Sequence, residues 1–507
     1  MASPTAIDKF LEPMRVDLDR VHELSKRFLA TFDHLSAEST SQFLATPISE
    51  SILRPVSKKG SGRGGTNLRV GFVELLGKET LSNQPSNGPH DGTSGRTRRH
   101  LEQSWPIDER LKHDNADSLF LWIGTHIAKV VRQGCEIFNL PADEPLPLGV
   151  TFSFPMEQMS LSEATLMSMG KGFAVSANLD LGSRLLGGYN SAKDNTLPPI
   201  RVAAIANDSV STLVSFIFQF DETVLRRASM GIILGTGCNA TIPLKLSRLH
   251  PSKRPPTVSV LPGERVEDVK ITVNTEWSIN GTAPPLREMG LISRWDEVLD
   301  SQNETPGFQP LEYMTAGRYL GELGRIMLVD YMVSELGIAE DILPAKLLER
   351  HGMSTTFLSH FKPLQPAVLL SNLKEEFPES TGSPTFAWTE ELAEALYRIA
   401  KAIEVRAAGI IAAGIIALLT LGDELPKDSK GTAPEAQELG VGYTGGCIVH
   451  FQDYLLDCQS FIDGLMAKRF GEGSHPVRVV LSPCHDGGIT GAGILVAAAS
   501  TSEDSKM

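Results

Sequence analysis

The triplet Asn207-Asp208-Ser209 follows residues 202–206, a run that is apolar throughout and reads as a short buried strand after Pro198-Pro199. Beyond it the chain is suited to open a helix, with Asp208 or Ser209 as the expected N-cap. A carboxylate is therefore expected at the carboxyl end of a strand, where open α/β sheets place their ligands. The same triplet serves equally as a helix cap and nothing more. Three other strand ends carry small or polar residues: Thr66-Asn67, Ser153 and Gly235-Thr236-Gly237. Backbone amides in such turns can cradle phosphates, although each turn taken singly is also ordinary. Gly235-Thr236-Gly237 is not a dinucleotide fingerprint, because G-x-G-x-x-G is incomplete, and the chain has no G-x-x-x-x-G-K-[ST] loop.

The 507 residues suffice for two or more domains with substantial cores. A hydrophobic content of 41% and a charged content of 21% are ordinary for a globular chain. The net charge of −14 argues against nucleic acid or an anionic membrane as partner. An anionic substrate would then need local positive charge or a metal ion. Five cysteines, widely spaced and without a Cys-x-x-Cys pair, argue against a zinc site or disulfide framework and fit a reducing compartment. Residues 1–35 lack an apolar signal core and carry acidic residues such as Asp8, Glu12, Asp17, Asp19 and Glu23, so the cytoplasm is the expected location. The longest apolar stretch, residues 407–420, is too short to span a bilayer and reads as a buried core helix.

These residues need elements to hold them. Residues 6–35 repeat apolar positions near a 3.6 period and predict amphipathic helix packed on the body of the protein. Residues 57–66 are polar, basic and glycine-rich, and run into a strand over 68–75. Residues 79–100 read as a solvated or flexible insert. A helix is expected over 116–139, a strand over 148–154, strands over 202–206, 231–234 and 477–481, long helices over 311–336 and 390–420, a loop over 421–440 and a small-residue helix over 491–499. Strands interleaved with helices specify an α/β protein.

Leu148-Gly149-Val150-Thr151-Phe152-Ser153-Phe154-Pro155, followed by Lys171-Gly172-Phe173, strongly resembles the sugar-binding signature of the hexokinase family. Further matches follow in order. Gly64-Gly65-Thr66-Asn67-Leu68-Arg69 resembles the first phosphate-binding hairpin, and Asn207-Asp208-Ser209 the segment with the catalytic aspartate. Gly235-Thr236-Gly237-Cys238-Asn239 resembles the second glycine turn. Glu276-Trp277, and Glu312 beyond Pro306-Gly307, resemble the two sugar-binding glutamates, and residues 317–323 the helix that follows.

The resemblance implies two actin-like α/β lobes with mixed sheets closing on a hexose, with Mg-ATP along the cleft. It divides the chain into a small lobe with the N-terminal helix (1–207), a large lobe (208–485) and a C-terminal helix near 486–507 that returns to the small lobe. It makes Asp208 the base for the attacking 6-hydroxyl and Lys171 the residue that orients the sugar and offsets charge. Ser153, Gly170, Lys171, Asn207, Asp208, Asn239, Glu276 and Glu312 would line the sugar site. Gly64, Gly65, Thr66, Asn67, Arg69, Gly235, Thr236, Gly237, Gly445 and Gly487 would face the nucleotide. The chemistry suits phosphoryl transfer, which asks a protein mainly for positioning and charge neutralisation. The expected partners are a hexose or amino sugar and ATP, on a monomer or homodimer.

Departures from the family pattern are local. The apolar strand ending in Asp-Leu before Gly-Gly-Thr is replaced by Lys58-Lys59-Gly60-Ser61-Gly62-Arg63, so the usual magnesium-linked aspartate is absent at Gly62 and no protein metal ligand is expected. Gly170 stands where common glucose-phosphorylating members have threonine. The late phosphate motif reads Asp486-Gly487-Gly488-Ile489-Thr490-Gly491-Ala492, and Thr444 takes the place of a usual aspartate. These features, with His250-Pro251-Ser252-Lys253 and residues 314–319, resemble the fungal N-acetylglucosamine kinase branch. The alternative is a catalytically impaired, sugar-sensing regulator, for which a nuclear fraction would be natural.

Overall fold

The computed structural model describes residues 5–54, 68–76, 96–107, 111, 116–167, 178–223, 225–379, 386–425, 437–471 and 477–504. Gly62, Gly64, Gly65, Thr66, Asn67, Gly170 and Lys171 lie outside the described residues.

The strands are β1 (Leu44–Ser49), β2 (Leu68–Leu75), β3 (Thr97–Trp105), β4 (Leu146–Thr151), β5 (Met156–Ser160), β6 (Glu163–Leu166), β7 (Leu179–Asp180), β8 (Ile200–Ala206), β9 (Arg226–Leu234), β10 (Cys238–Lys245), β11 (Lys270–Asn274), β12 (Glu438–Thr444) and β13 (Arg478–Pro483). Six of them form a mixed sheet in the order β1-β11-β10-β9-β12-β13. Its β9-β10-β11-β1 half is antiparallel, while β12 runs parallel to both β9 and β13. Parallel neighbours need long crossovers, and helices supply them here. Smaller sheets pair β2 with β3, β4 with β8, and β5 with β6 and β7.

Nine helices matter for the site: α1 (Leu18–Glu38), α2 (Ala116–Phe138), α3 (Leu181–Ala192), α4 (Asp208–Gln219), α5 (Pro310–Thr315), α6 (Leu320–Asp330), α7 (Glu390–Leu421), α8 (Tyr454–Phe470) and α9 (Gly487–Asp504). Helix α1 starts where the Asp17 carboxylate accepts the Arg20 N–H. Its apolar stripe of Val21, Leu24, Phe28, Phe32 and Leu35 is buried, and the helix packs on α7 and α8. Helix α7 is long and apolar enough to cross a membrane, but 89% of its most apolar window is buried inside the protein. Its length exceeds the 14-residue apolar stretch because Glu404 and Arg406 are themselves wholly buried within it. Arg406 manages this by a two-pronged pair with Asp296 at 2.6 and 2.8 Å.

Helix α9 packs on α4 and on β2, β4 and β8. A side chain at Gly491 would fall 2.1 Å from the Ser211 carbonyl, so the α9–α4 crossing is in backbone contact. Among the described residues no ladder joins the β2-β3 pair to the β4-β8 pair, and α9 covers both.

Several expected boundaries move. Residues 97–100, expected in a loop, belong to β3, because the β2 hairpin gives their polar alternation a partner. The strand expected over 148–154 spans Leu146–Thr151, which leaves Ser153 in the following loop. The helix expected over 311–336 breaks between α5 and α6. There a side chain at Gly317 would fall 2.8 Å from the Gly235 carbonyl, so that stretch leaves the helix to pack against the turn.

Candidate active site

Strands β4 and β8 are parallel and end together, with Thr151 opposite Ala206. The chain leaving β4 stays tied to the chain leaving β8. Phe152 N–H donates to the Ala206 carbonyl at 3.0 Å, and Asn207 Nδ2 donates to the Phe154 carbonyl at 3.2 Å. Ser153 lies between those two bonds. The N-cap of α4 is Asn207 rather than Asp208 or Ser209. Its Oδ1 accepts from Ser209 N–H at 2.9 Å and from Ser209 Oγ at 2.7 Å. Asp208 is thereby released from capping to the first helical position, half-buried, where a helix amino-terminus favours negative charge. Its Oδ1 also takes the Ser209 N–H at 3.0 Å.

The polar side chains of α4 continue into the six-stranded sheet. Ser209 Oγ, whose one proton goes to Asn207 Oδ1, lies 3.3 Å from Asn274 Oδ1 and accepts from Thr241 Oγ1 at 2.8 Å. Asn274, the last residue of β11, accepts from Asn239 Nδ2 at 2.9 Å and donates through Nδ2 to Glu276 Oε1 at 2.8 Å. Asn239 Nδ2 also reaches Glu276 Oε1 at 3.3 Å. One continuous set of polar contacts therefore runs from Asn207 through Ser209 and Asn274 to Glu276 and Asn239. Asn274 and Thr241 were not anticipated from the sequence. The available signal was that Asn274 closes a strand two residues before Glu276.

Glu276 sits at φ +46°, in the left-handed region that a residue with a side chain adopts at some cost. Glu312, on α5, is buried, and its Oε2 accepts the Cys238 N–H at 3.0 Å. Glu312 and Asn239 thus meet the same stretch after β9. Cys238 Sγ accepts the Trp277 indole N–H at 3.2 Å, and burial pushes its thiol up to about 12. Burial likewise raises the Cys447 thiol, so neither cysteine is suited to act as a nucleophile.

The glycine turns come together. Gly235 N–H donates to the Gly237 carbonyl at 3.0 Å, while Gly317 and Arg318 donate their N–H groups to the carbonyls of Gly235 (2.8 Å) and Thr236 (3.2 Å). Gly445, at φ +121°, follows the parallel neighbour β12. A side chain there would fall 2.3 Å from the Leu234 carbonyl. Only glycine permits this approach, and a shallow backbone cradle of this kind fits phosphate oxygens. Gly487 opens α9 in backbone contact with Thr212. Arg69, on β2, donates through Nη1 to Asp486 Oδ1 at 2.8 Å, which ties the first expected phosphate segment to the late one. Among the described residues, no group of three His, Cys, Asp or Glu side chains could hold a metal ion.

Comparison with known proteins places this geometry. Two family profiles, both described as hexokinase, match residues 6–218 and 229–498. Hexokinase-2 of Arabidopsis thaliana is 30% identical over 86% of this chain and 77% of its own. Hexokinase-1 of Schizosaccharomyces pombe is 28% identical over 86% and 77%. A solved hexokinase from Schistosoma mansoni, complexed with glucose, superposes with a TM-score of 0.72 at 22% identity, covering 97% of this chain and 98% of that one. The mixed sheets and helical layers are the actin-like hexokinase fold, and the chain belongs to the hexokinase family, sugar kinases that transfer phosphoryl groups to an alcohol acceptor.

Proposed function

We propose that this chain transfers the γ-phosphoryl group of ATP to the 6-hydroxyl of a hexose, with N-acetylglucosamine as the preferred acceptor. The observation that carries the transfer reading is the set of polar contacts from Asn207 to Glu276. It fixes the segment of the proposed base to the segment of a proposed sugar ligand before any substrate arrives. Asp208 would take the proton from the attacking hydroxyl, a role worth on the order of 10²–10⁴ in rate. Ser153, Asn207, Asn239, Glu276 and Glu312 would pair the hydroxyls, since a polyol leaving water needs a partner for each. Lys171 would orient the sugar and offset charge. The Gly235–Gly237 turn and Gly445 would hold the phosphates, and Arg69, beside Asp486, would add positive charge.

Magnesium supplies charge neutralisation on the phosphates. It commonly binds through the nucleotide and its own waters rather than an all-protein cage. The division into lobes at residue 207 is part of the same reading, with α4 beginning the large lobe and α9 returning to the small one.

The acceptor preference rests on Gly170, whose lack of a side chain beside Lys171 would leave room for an acetamido group, and on the resemblance of residues 250–253 and 314–319. A specific observation favours a second reading, that of a sugar-sensing regulator. Arg69 and Arg99 are both engaged by Asp486, at 2.8 and 2.9 Å, rather than held open for a nucleotide. Coupled ADP release with N-acetylglucosamine, glucose, mannose and fructose separates the readings. Highest kcat/KM with N-acetylglucosamine is expected. Best turnover of glucose would return the chain to the general hexokinase reading, and sugar binding without turnover would favour the regulator.

A further inference from the structure

Glu276 is held from two directions. Its carboxylate meets Asn274 and Asn239, while its left-handed backbone donates its N–H to Asn274 Oδ1 at 3.3 Å and accepts at its carbonyl from Ile279 N–H at 3.3 Å. The shorter bond to that carbonyl comes from Gln42, a residue 2% exposed in the turn between α1 and β1. Gln42 Nε2 donates to the Glu276 carbonyl at 2.9 Å and lies 3.4 Å from Thr282 Oγ1. Phe43, the next residue, donates its N–H to the Thr275 carbonyl at 3.1 Å. Space for the amide exists because residue 281 is glycine; a side chain there would fall 1.9 Å from Gln42 Oε1.

Gln42 is fixed in turn. Its N–H donates to Ser39 Oγ at 3.1 Å, and its carbonyl accepts from Lys253 Nζ at 2.7 Å. The same ammonium donates to the Ser36 carbonyl at 3.1 Å, in the last turn of α1, where a cation suits the helix terminus. Lys253 arrives on a short helical turn whose His250 Nδ1 accepts the Ser252 N–H at 3.2 Å, and His250 N–H itself donates to the Ser36 carbonyl at 3.0 Å. The motif His250-Pro251-Ser252-Lys253 thus has a structural destination. It braces the turn that braces Glu276. Burial lowers the Lys253 ammonium to about 8, so a charged group is kept here against a desolvation cost.

We propose that Gln42 is a positioning residue for the sugar site, fixing Glu276 through its main chain, and that Lys253 fixes Gln42. The proposal rests on the reading of Glu276 as a sugar ligand. Gln42→Met keeps the length and removes the donor. Sugar affinity, measured by calorimetry with whichever of N-acetylglucosamine and glucose the intact chain binds, should weaken about three- to tenfold, the usual effect of one lost hydrogen bond. The KM for sugar should rise with it, while the KM for ATP and the thermal midpoint should hold. Lys253→Met should act in the same direction, and Lys253→Arg should restore most of the affinity.

Sugar affinity within about twofold of the original in Gln42→Met would overturn the proposal. So would a joint rise of both KM values with a fall in thermal midpoint, which marks a structural role alone. If Gln42→Met does not fold, Gly281→Ala displaces the same amide and should give the same sugar-specific loss; unchanged affinity there would also overturn it. Glu276→Gln, measured alongside, separates the layers. If that variant binds sugar normally, the Glu276 assignment fails. If it loses sugar while Gln42→Met does not, only the positioning role fails.

Discussion

Arg69 Nη1 lies 2.8 Å from one oxygen of Asp486, and Arg99 Nη2 lies 2.9 Å from the other. All three side chains are about one-third exposed, so the contacts contribute at most about 0–1 kcal/mol each. A nucleotide phosphate could therefore displace Asp486 at small cost. Asp486 sits at φ +52°, which asparagine tolerates. Asp486→Asn should lower the KM for ATP by freeing Arg69, and Arg69→Ala should raise it. A higher ATP KM in Asp486→Asn would show that the pair positions Arg69 instead of competing for it.

Asn274 meets three side chains, so its replacement should be felt in both stability and binding. Asn274→Ala leaves Glu276 and Asn239 short of partners in a buried place, at about 1–3 kcal/mol. The expected result is a lower thermal midpoint together with weaker sugar binding. A variant that loses stability while keeping full sugar affinity would separate Asn274 from the site.

A third expectation concerns pH and lies away from the site. On α7, Lys401 Nζ is shared by Glu404 (2.6 Å), Asp457 (2.6 Å) and Asp453 (3.0 Å). Three carboxylates cannot all be neutralised by one ammonium, and the wholly buried one keeps its proton. Burial pushes Glu404 up to about 8 from an ordinary 4.5. A carboxyl whose folded value lies above its unfolded value stabilises the fold fully below 4.5, and that stability is lost as pH rises through about 8. Glu404→Gln mimics the protonated form. The thermal midpoint of the original chain should fall relative to that variant between pH 4.5 and 8. A constant difference across that window would mean Glu404 is ionised in the folded protein.

The parts of the fold written in local patterns were legible in the sequence. Strand β2 spans the expected residues, Leu68–Leu75, and the core reading of residues 407–420 holds because apolar residues surround that helix on every face. Asn207 and Asp208 were placed at a strand end correctly, yet the capping role fell one residue earlier. Asparagine and aspartate cap almost equally well, and the choice is made by the Phe154 carbonyl in the loop after β4. Asn274 stayed hidden for a similar reason. Its partners come from α4, β10 and the loop after β11, so no spacing along the chain announces it. The polar residues of β3 read as a loop until β2 pairs with them, and Arg406 reads as a helix flank until Asp296, 110 positions away, meets it.

The account turns on Asp208 as the base, and one comparison tests it directly. Asp208→Asn keeps the size and the helix start but cannot take a proton. Measured against the original chain with the same sugar, it should bind sugar nearly unchanged by calorimetry while sugar-stimulated ADP release falls on the order of 10²–10⁴-fold. Retention of most of the original turnover by Asp208→Asn would contradict the account.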